Sequence, residues 1–147
     1  MENAAANLDN SPAERHSSIL VVEDSKDSRE MLTELLRTSD PGYIVTAVET
    51  AAEALALDKP GRFDLYILDI WLPGMDGISL CRRLRERGRT EPILFFSAMV
   101  QPNDKDYVLK AGADEFLIKP RDLDLFLPTV RRLLQQSVDQ KPEPSAR

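Results

Sequence analysis

The chain has 147 residues, 19 Lys plus Arg against 25 Asp plus Glu, and a formal net charge of −6 with its one histidine neutral. Hydrophobic residues at 42% and charged residues at 30% are enough for one packed domain, which excludes a chain left unfolded for want of apolar surface. The acidic balance argues against non-specific nucleic-acid binding. A single cysteine, Cys81, excludes an intramolecular disulfide, and no apolar run approaches the roughly 20 residues of a membrane-spanning helix.

Residues 1–17 are polar, have no secretory apolar region and show neither helical nor strand period. They read as an N-terminal arm of a cytoplasmic protein. Residues 18–138 alternate short apolar or β-branched runs with longer segments of helical period, the pattern of a βα-repeated parallel sheet. The first strand, Ile19–Glu23, precedes a helix over 26–38 whose Met31, Leu32, Leu35 and Leu36 predict a buried stripe, ended by Pro41 and Gly42. The second, Ile44–Val48, leads to a helix with Thr50 as N-cap and Ala51, Ala54 and Leu55 packed inward. The third, Leu65–Asp69, is apolar until its last residue, as expected of a strand covered on both faces. The loop from Leu72 to Gly77 opens a helix with Ile78, Cys81 and Leu84 at helical spacing. A fourth strand follows over Ile93–Ser97, with a helix after Pro102 and Asn103. The fifth, Glu115–Ile118, ends at Lys119 and Pro120. The last helix spans 122–138 with Leu123, Phe126, Val130, Leu133 and Leu134 inward; Pro128 falls inside it and is accommodated most easily near a first turn. Residues 139–147, polar and interrupted by Pro142 and Pro144, read as a C-terminal tail.

An open parallel sheet binds ligands beyond the carboxyl ends of its strands. Those ends carry Glu23 and Asp24, then Asp69, Ser97 and Lys119. Three carboxylates at one rim repel one another unless a cation intervenes, and a hard divalent ion such as Mg²⁺ suits oxygen donors of this kind. Each residue also has a plain structural reading: Glu23 and Asp24 as acids at a helix N-terminus, Asp69 as a turn former, Lys119 as a solvated lysine. Asp69 weighs most against that reading, because a carboxylate after Tyr66, Ile67 and Leu68 faces a large desolvation cost without a partner. Arg82, Arg83, Arg85, Arg87 and Arg89 are expected on a solvated helix face, since no aromatic platform accompanies them. Cys81 reads as a buried, reduced thiol.

The acidic pair after strand one, Leu68-Asp69-Ile70 with Leu72-Pro73-Gly74-Met75-Asp76-Gly77 behind it, Ser97-Ala98, and the run from Gly112 to Pro120 together resemble the receiver domain of bacterial two-component response regulators, over roughly Ser18–Val138. The resemblance implies an α/β, flavodoxin-like, doubly wound sheet of order 2-1-3-4-5 with five helices. It implies that Asp69 accepts a phosphoryl group from a sensor histidine kinase or histidine phosphotransfer protein. Asp24, Asp69 and the backbone carbonyl of Trp71 would bind Mg²⁺, with Glu23 holding a metal-bound water. Lys119 would pair with Asp69 and then with the phosphoryl group. Ser97 and Phe116 would act as the switch, changing the surface of the fourth helix, fifth strand and fifth helix.

The sequence departs from the commonest pattern of that family at Glu23, where aspartate is more usual, and at Phe116, which lacks a tyrosine hydroxyl. Trp71 and Met99 are large and apolar beside the phosphorylation site, which predicts slow self-dephosphorylation. No output segment is recognisable after Val138, so a downstream target protein, rather than direct nucleic-acid or membrane contact, is the expected partner. Two alternatives stand beside this reading. One is a phosphorylation-independent adaptor with the same fold. The other is a Mg²⁺-dependent phosphatase, which ranks last because its general-acid aspartate would stand where Trp71 is.

Overall fold

The computed structural model describes residues 16–98 and 100–140. Five parallel strands, β1 (Ser17–Val22), β2 (Tyr43–Val48), β3 (Leu65–Leu68), β4 (Ile93–Ser97) and β5 (Glu115–Ile118), form one sheet in the order β2-β1-β3-β4-β5. They alternate with α1 (Lys26–Ser39), α2 (Ala51–Leu57), α3 (Gly77–Glu86), α4 (Asp104–Ala111) and α5 (Leu123–Gln140). The expected doubly wound architecture is therefore present. β1 begins at Ser17, one residue inside the segment read as an arm, and α5 runs two residues past Val138; residues 1–15, 141–147 and Met99 lie outside the described residues.

The two-residue period of the strands sorts their side chains into two cores. Ile19, Val21, Leu65, Ile67, Leu94, Phe96 and Leu117 face α1 and α5, against Leu32, Leu36, Phe126 and Val130. Leu20, Val22, Tyr66, Leu68 and Phe95 face the other layer, against Ala51 and Ala54 of α2, Leu80, Cys81 and Leu84 of α3, and Val108 of α4. The helices that follow the neighbouring strands β1 and β3, α1 and α3, thus leave toward opposite faces, and a crevice opens beyond the carboxyl ends of those two strands.

Local chemistry starts the helices where expected. Ser25 caps α1, Thr50 and Glu53 form a reciprocal capping box on α2, and Asp76 Oδ1 accepts from the Ser79 N–H at 2.8 Å to cap α3. Two apolar assignments differ. Met31 is 40% and Leu123 38% exposed, because the covered stripes of α1 and α5 are narrower than the apolar residues available to them. Pro128 lies at the sixth residue of α5, in its second turn rather than its first.

The arginine cluster also differs from a solvated face. Arg85 donates to the carbonyls of Gly112, Arg89 and Glu91 and pairs with Asp114 at 2.9 Å. Arg87 and Arg89 converge on the enclosed carboxylate of Asp58, which also accepts from the Tyr66 hydroxyl at 2.6 Å. Arg87 and Arg89 thus tie the end of α3 to the end of α2 and, through Asp58, to Tyr66 of β3, while Arg85 ties it to the end of α4. Arg82 and Arg83 are exposed, as is the paired Arg87.

Candidate functional site

Hydrogen bonding of the sheet extends one residue beyond the strands that carry the acids. The Glu23 N–H donates to the Val48 carbonyl at 3.0 Å, and the Asp69 N–H to the Val22 carbonyl at 3.1 Å. Both side chains are therefore fixed at the rim of the sheet, next to one another. One carboxylate oxygen each from Glu23, Asp24 and Asp69 fall within 4.8 Å of one another. That span suits a Mg²⁺ ion with oxygen ligands at about 2.1 Å, for which opposite ligands stand about 4.2 Å apart. Glu23 and Asp69 are buried and Asp24 is exposed, so the cluster is open on the Asp24 side.

Each oxygen of Asp69 has its own donors. Oδ1 accepts from the Ser97 hydroxyl at 2.5 Å and from the Trp71 N–H at 3.1 Å. Oδ2 accepts from Lys119 Nζ at 3.3 Å, and the same ammonium makes a short contact with Glu23 Oε1. Lys119 is held in place by its own N–H, which donates to the Ser97 carbonyl at 3.0 Å across the β4–β5 edge. One cation thus bridges two of the three carboxylates. Burial pushes the Glu23 carboxyl above its ordinary value, against the opposing pull of Lys119 and of the Ser25 N–H at 2.9 Å.

Glu23, Asp24, Asp69, Ser97 and Lys119 are all brought together. Phe116 is not part of that cluster. It is half-buried one residue before Leu117 and lines a hollow of about 450 Å³ with Val100, Pro102, Lys105, Ile118 and Arg121, on the α4–β5 side of the sheet. Trp71 joins the site through its backbone N–H. Its exposed indole donates to the Ala98 carbonyl at 3.2 Å and so spans the loops after β3 and β4.

Two contributors were not legible from residue type. Gly77 opens α3 against the end of β3, with its N–H donating to the Ile70 carbonyl at 2.8 Å, and a Cβ there would lie 1.9 Å from the Asp69 carbonyl oxygen. Only its place in the Leu72–Gly77 run marked it. Arg29, in the first turns of α1, donates to the carbonyls of both Glu23 and Asp24 at 3.0 Å. Nothing in the charged pattern of α1 set it apart.

Residues 19–131 match the response regulator receiver domain family. The transcriptional regulatory protein DltR of Streptococcus agalactiae is 39% identical over 119 residues, which are 81% of this chain and 52% of that protein. Among solved structures, the Francisella response regulator 1452 receiver domain superposes with a TM-score of 0.75 at 28% identity, covering 83% of this chain and 99% of that one. TrrA of Thermotoga maritima, solved in complex with Mg²⁺-BeF, gives a TM-score of 0.70 at 32% identity over 80% of this chain and 98% of its own. The chain spans about half the length of the curated relatives it matches.

Proposed function

The chain belongs to the response regulator receiver domain family, whose work is phosphorylation-based switching, and from that premise we propose that Asp69 accepts a phosphoryl group from a phosphohistidine on a sensor histidine kinase or histidine phosphotransfer protein. The observation that carries this reading is the environment of Asp69: a buried carboxylate at the sheet rim, with a hydroxyl on one oxygen and an ammonium on the other. In the transfer, an Asp69 oxygen attacks phosphorus and an O–P bond forms as the N–P bond of the donor breaks. The departing imidazole keeps the electron pair of that bond and takes up a proton.

Asp24, Asp69 and the Trp71 carbonyl would hold Mg²⁺, with Glu23 acting through a water, and the bound ion supplies charge neutralisation for the phosphoryl group. The oxygen-rich cluster supports this assignment, as does the Mg²⁺-BeF complex of TrrA. Lys119 follows the negative charge from Asp69 onto a phosphoryl oxygen. Ser97 exchanges its bond to Asp69 for a bond to the phosphoryl group, drawing the loop after β4 toward the site. Phe116 then moves toward the space beside Ser97 and alters the face made by α4, β5 and α5, where a downstream target protein docks. The domain catalyses only its own phosphorylation and dephosphorylation.

The reading assigns the domain to the cytoplasm, and no described helix is long and apolar enough to cross a membrane. Direct nucleic-acid binding is not part of it: Arg85, Arg87 and Arg89 of the arginine cluster are engaged within the fold. The test is intact-protein mass spectrometry after incubation with acetyl phosphate, with and without Mg²⁺, on wild type and Asp69→Asn. One added phosphoryl group that requires both Mg²⁺ and Asp69 is expected. No adduct, even with a partner kinase present, would leave a phosphorylation-independent adaptor as the better description.

A further inference from the structure

The geometry points to Arg29 as the positioning residue of the divalent-cation site, a bracket that fixes the backbone of the acidic pair so that the Asp24 carboxylate meets that of Asp69. This inference rests on the reading that the cluster binds Mg²⁺. Arg29 Nη1 donates to the carbonyls of Glu23 and Asp24, both at 3.0 Å, and Nη2 donates to Glu49 Oε2 at 3.3 Å at the carboxyl end of β2. Its side chain is 16% exposed while that of Glu49 is 60% exposed, so the guanidinium lies under the loop rather than reaching across its surface.

Two further observations favour service to the site over ordinary helix chemistry. A cation near the start of a helix opposes the macrodipole, so local preference alone would not place arginine there. In addition, Arg29 and Lys119 divide the loop's oxygens between them. Lys119 sits on the carboxylates of Glu23 and Asp69, which a metal needs, whereas Arg29 takes main-chain carbonyls and leaves those carboxylates to the ion. A planar fork can hold two carbonyls and a carboxylate at once; a lysine ammonium on its flexible stem has no such fixed geometry.

Positioning and simple charge predict opposite signs, which makes the inference testable. If Arg29 acted only as a positive charge near a dication, its removal would tighten Mg²⁺ binding. If it fixes the loop, its removal loosens Mg²⁺ binding, typically by about 10- to 100-fold for lost partners of this kind. The experiment is calorimetric titration of the full chain with MgCl₂ for wild type, Arg29→Met and Arg29→Lys, with thermal midpoints measured alongside. The expected result is weaker binding in both variants, more so in Arg29→Met, at midpoints that show the metal-free protein still folded. Should Arg29→Met not fold, Arg29→Lys, which keeps the charge, decides the matter. Unchanged affinity in Arg29→Lys, or tighter binding in Arg29→Met, would overturn the positioning role while leaving the proposed function intact. A wild type that binds no Mg²⁺ would overturn the metal reading and this inference with it.

Discussion

Gly77→Ala sets helix propensity against a backbone contact at the phosphoacceptor. The added Cβ would stand 1.9 Å from the Asp69 carbonyl oxygen, 2.8 Å from its carbon and 3.1 Å from the Ile70 Cα. All three neighbours are main chain, so no side chain can swing aside. Restoring ordinary contact requires the start of α3 and the end of β3 to part by about 1.5 Å. Replacing glycine by alanine in a helix interior gains about 1 kcal/mol, and less at the first helical residue. Overpacking costs about 1–3 kcal/mol, and the strained 2.8 Å bond from the Gly77 N–H to Ile70 adds about 1 kcal/mol. The clash wins, leaving a net loss of about 2–3 kcal/mol, or a thermal midpoint lower by roughly 10 °C. Because the displaced atom belongs to Asp69, acetyl phosphate labelling should also slow, by on the order of 10²-fold for a shift of this size. Gly88→Ala is the control: its φ of +92° carries a conformational cost of about 1–2 kcal/mol, but the space around it is open and labelling should be normal. A Gly77→Ala protein as stable as wild type and labelled at the wild-type rate would refute the reasoning.

Asp58→Ala should destabilise the fold by about 3–5 kcal/mol in urea unfolding, because it strands the half-buried Arg89 guanidinium without its enclosed carboxylate. Burial pushes the Asp58 carboxyl up, but the bonds from Arg89, Tyr66 and Arg87 outweigh it and hold the group below its ordinary 3.8. The unfolded chain therefore binds the extra proton between those two values, so this contribution is complete above about pH 3.8 and is lost as pH falls through the folded value. Equal acid dependence of stability in wild type and Asp58→Ala would contradict it. Trp71→Asn removes the indole bridge to Ala98 and gives water a polar partner beside Asp69; a barrier lower by about 1 kcal/mol shortens the phosphoryl lifetime about fivefold, followed by mass spectrometry, and an unchanged lifetime would sink the idea. Burial pushes the Cys81 thiol up to about 11, so native protein at pH 8 should resist a thiol-specific reagent until denaturant is added, and rapid native labelling would show the site to be open.

The five βα pairs and the two-sided burial of β3 were legible because side-chain period and apolar runs are local records of which faces must leave water. Asp69 stood out for the same reason, as a carboxylate closing an apolar strand whose burial demanded a partner. The residues that meet it were legible too, because a parallel sheet collects its strand ends at one rim, whatever lies between them. Which oxygen meets which donor was not legible. Lys119 reaches Glu23 as well as Asp69 only because residues 96 positions apart in sequence arrive side by side. Met31 and Leu123 turned outward, and Arg85, Arg87 and Arg89 were drawn into the fold, because the space left between packed elements decides which apolar side chain is covered and which cation finds an anion. Gly77 and Arg29 show the same limit at the site itself. The chain's own pattern determined the layers, the strand ends and the chemical kinds of group gathered there. The tertiary structure alone decided the close approach of α3 to Asp69 and the bracket beneath the acidic pair, since both are contacts to main-chain atoms, whose placement residue type does not encode.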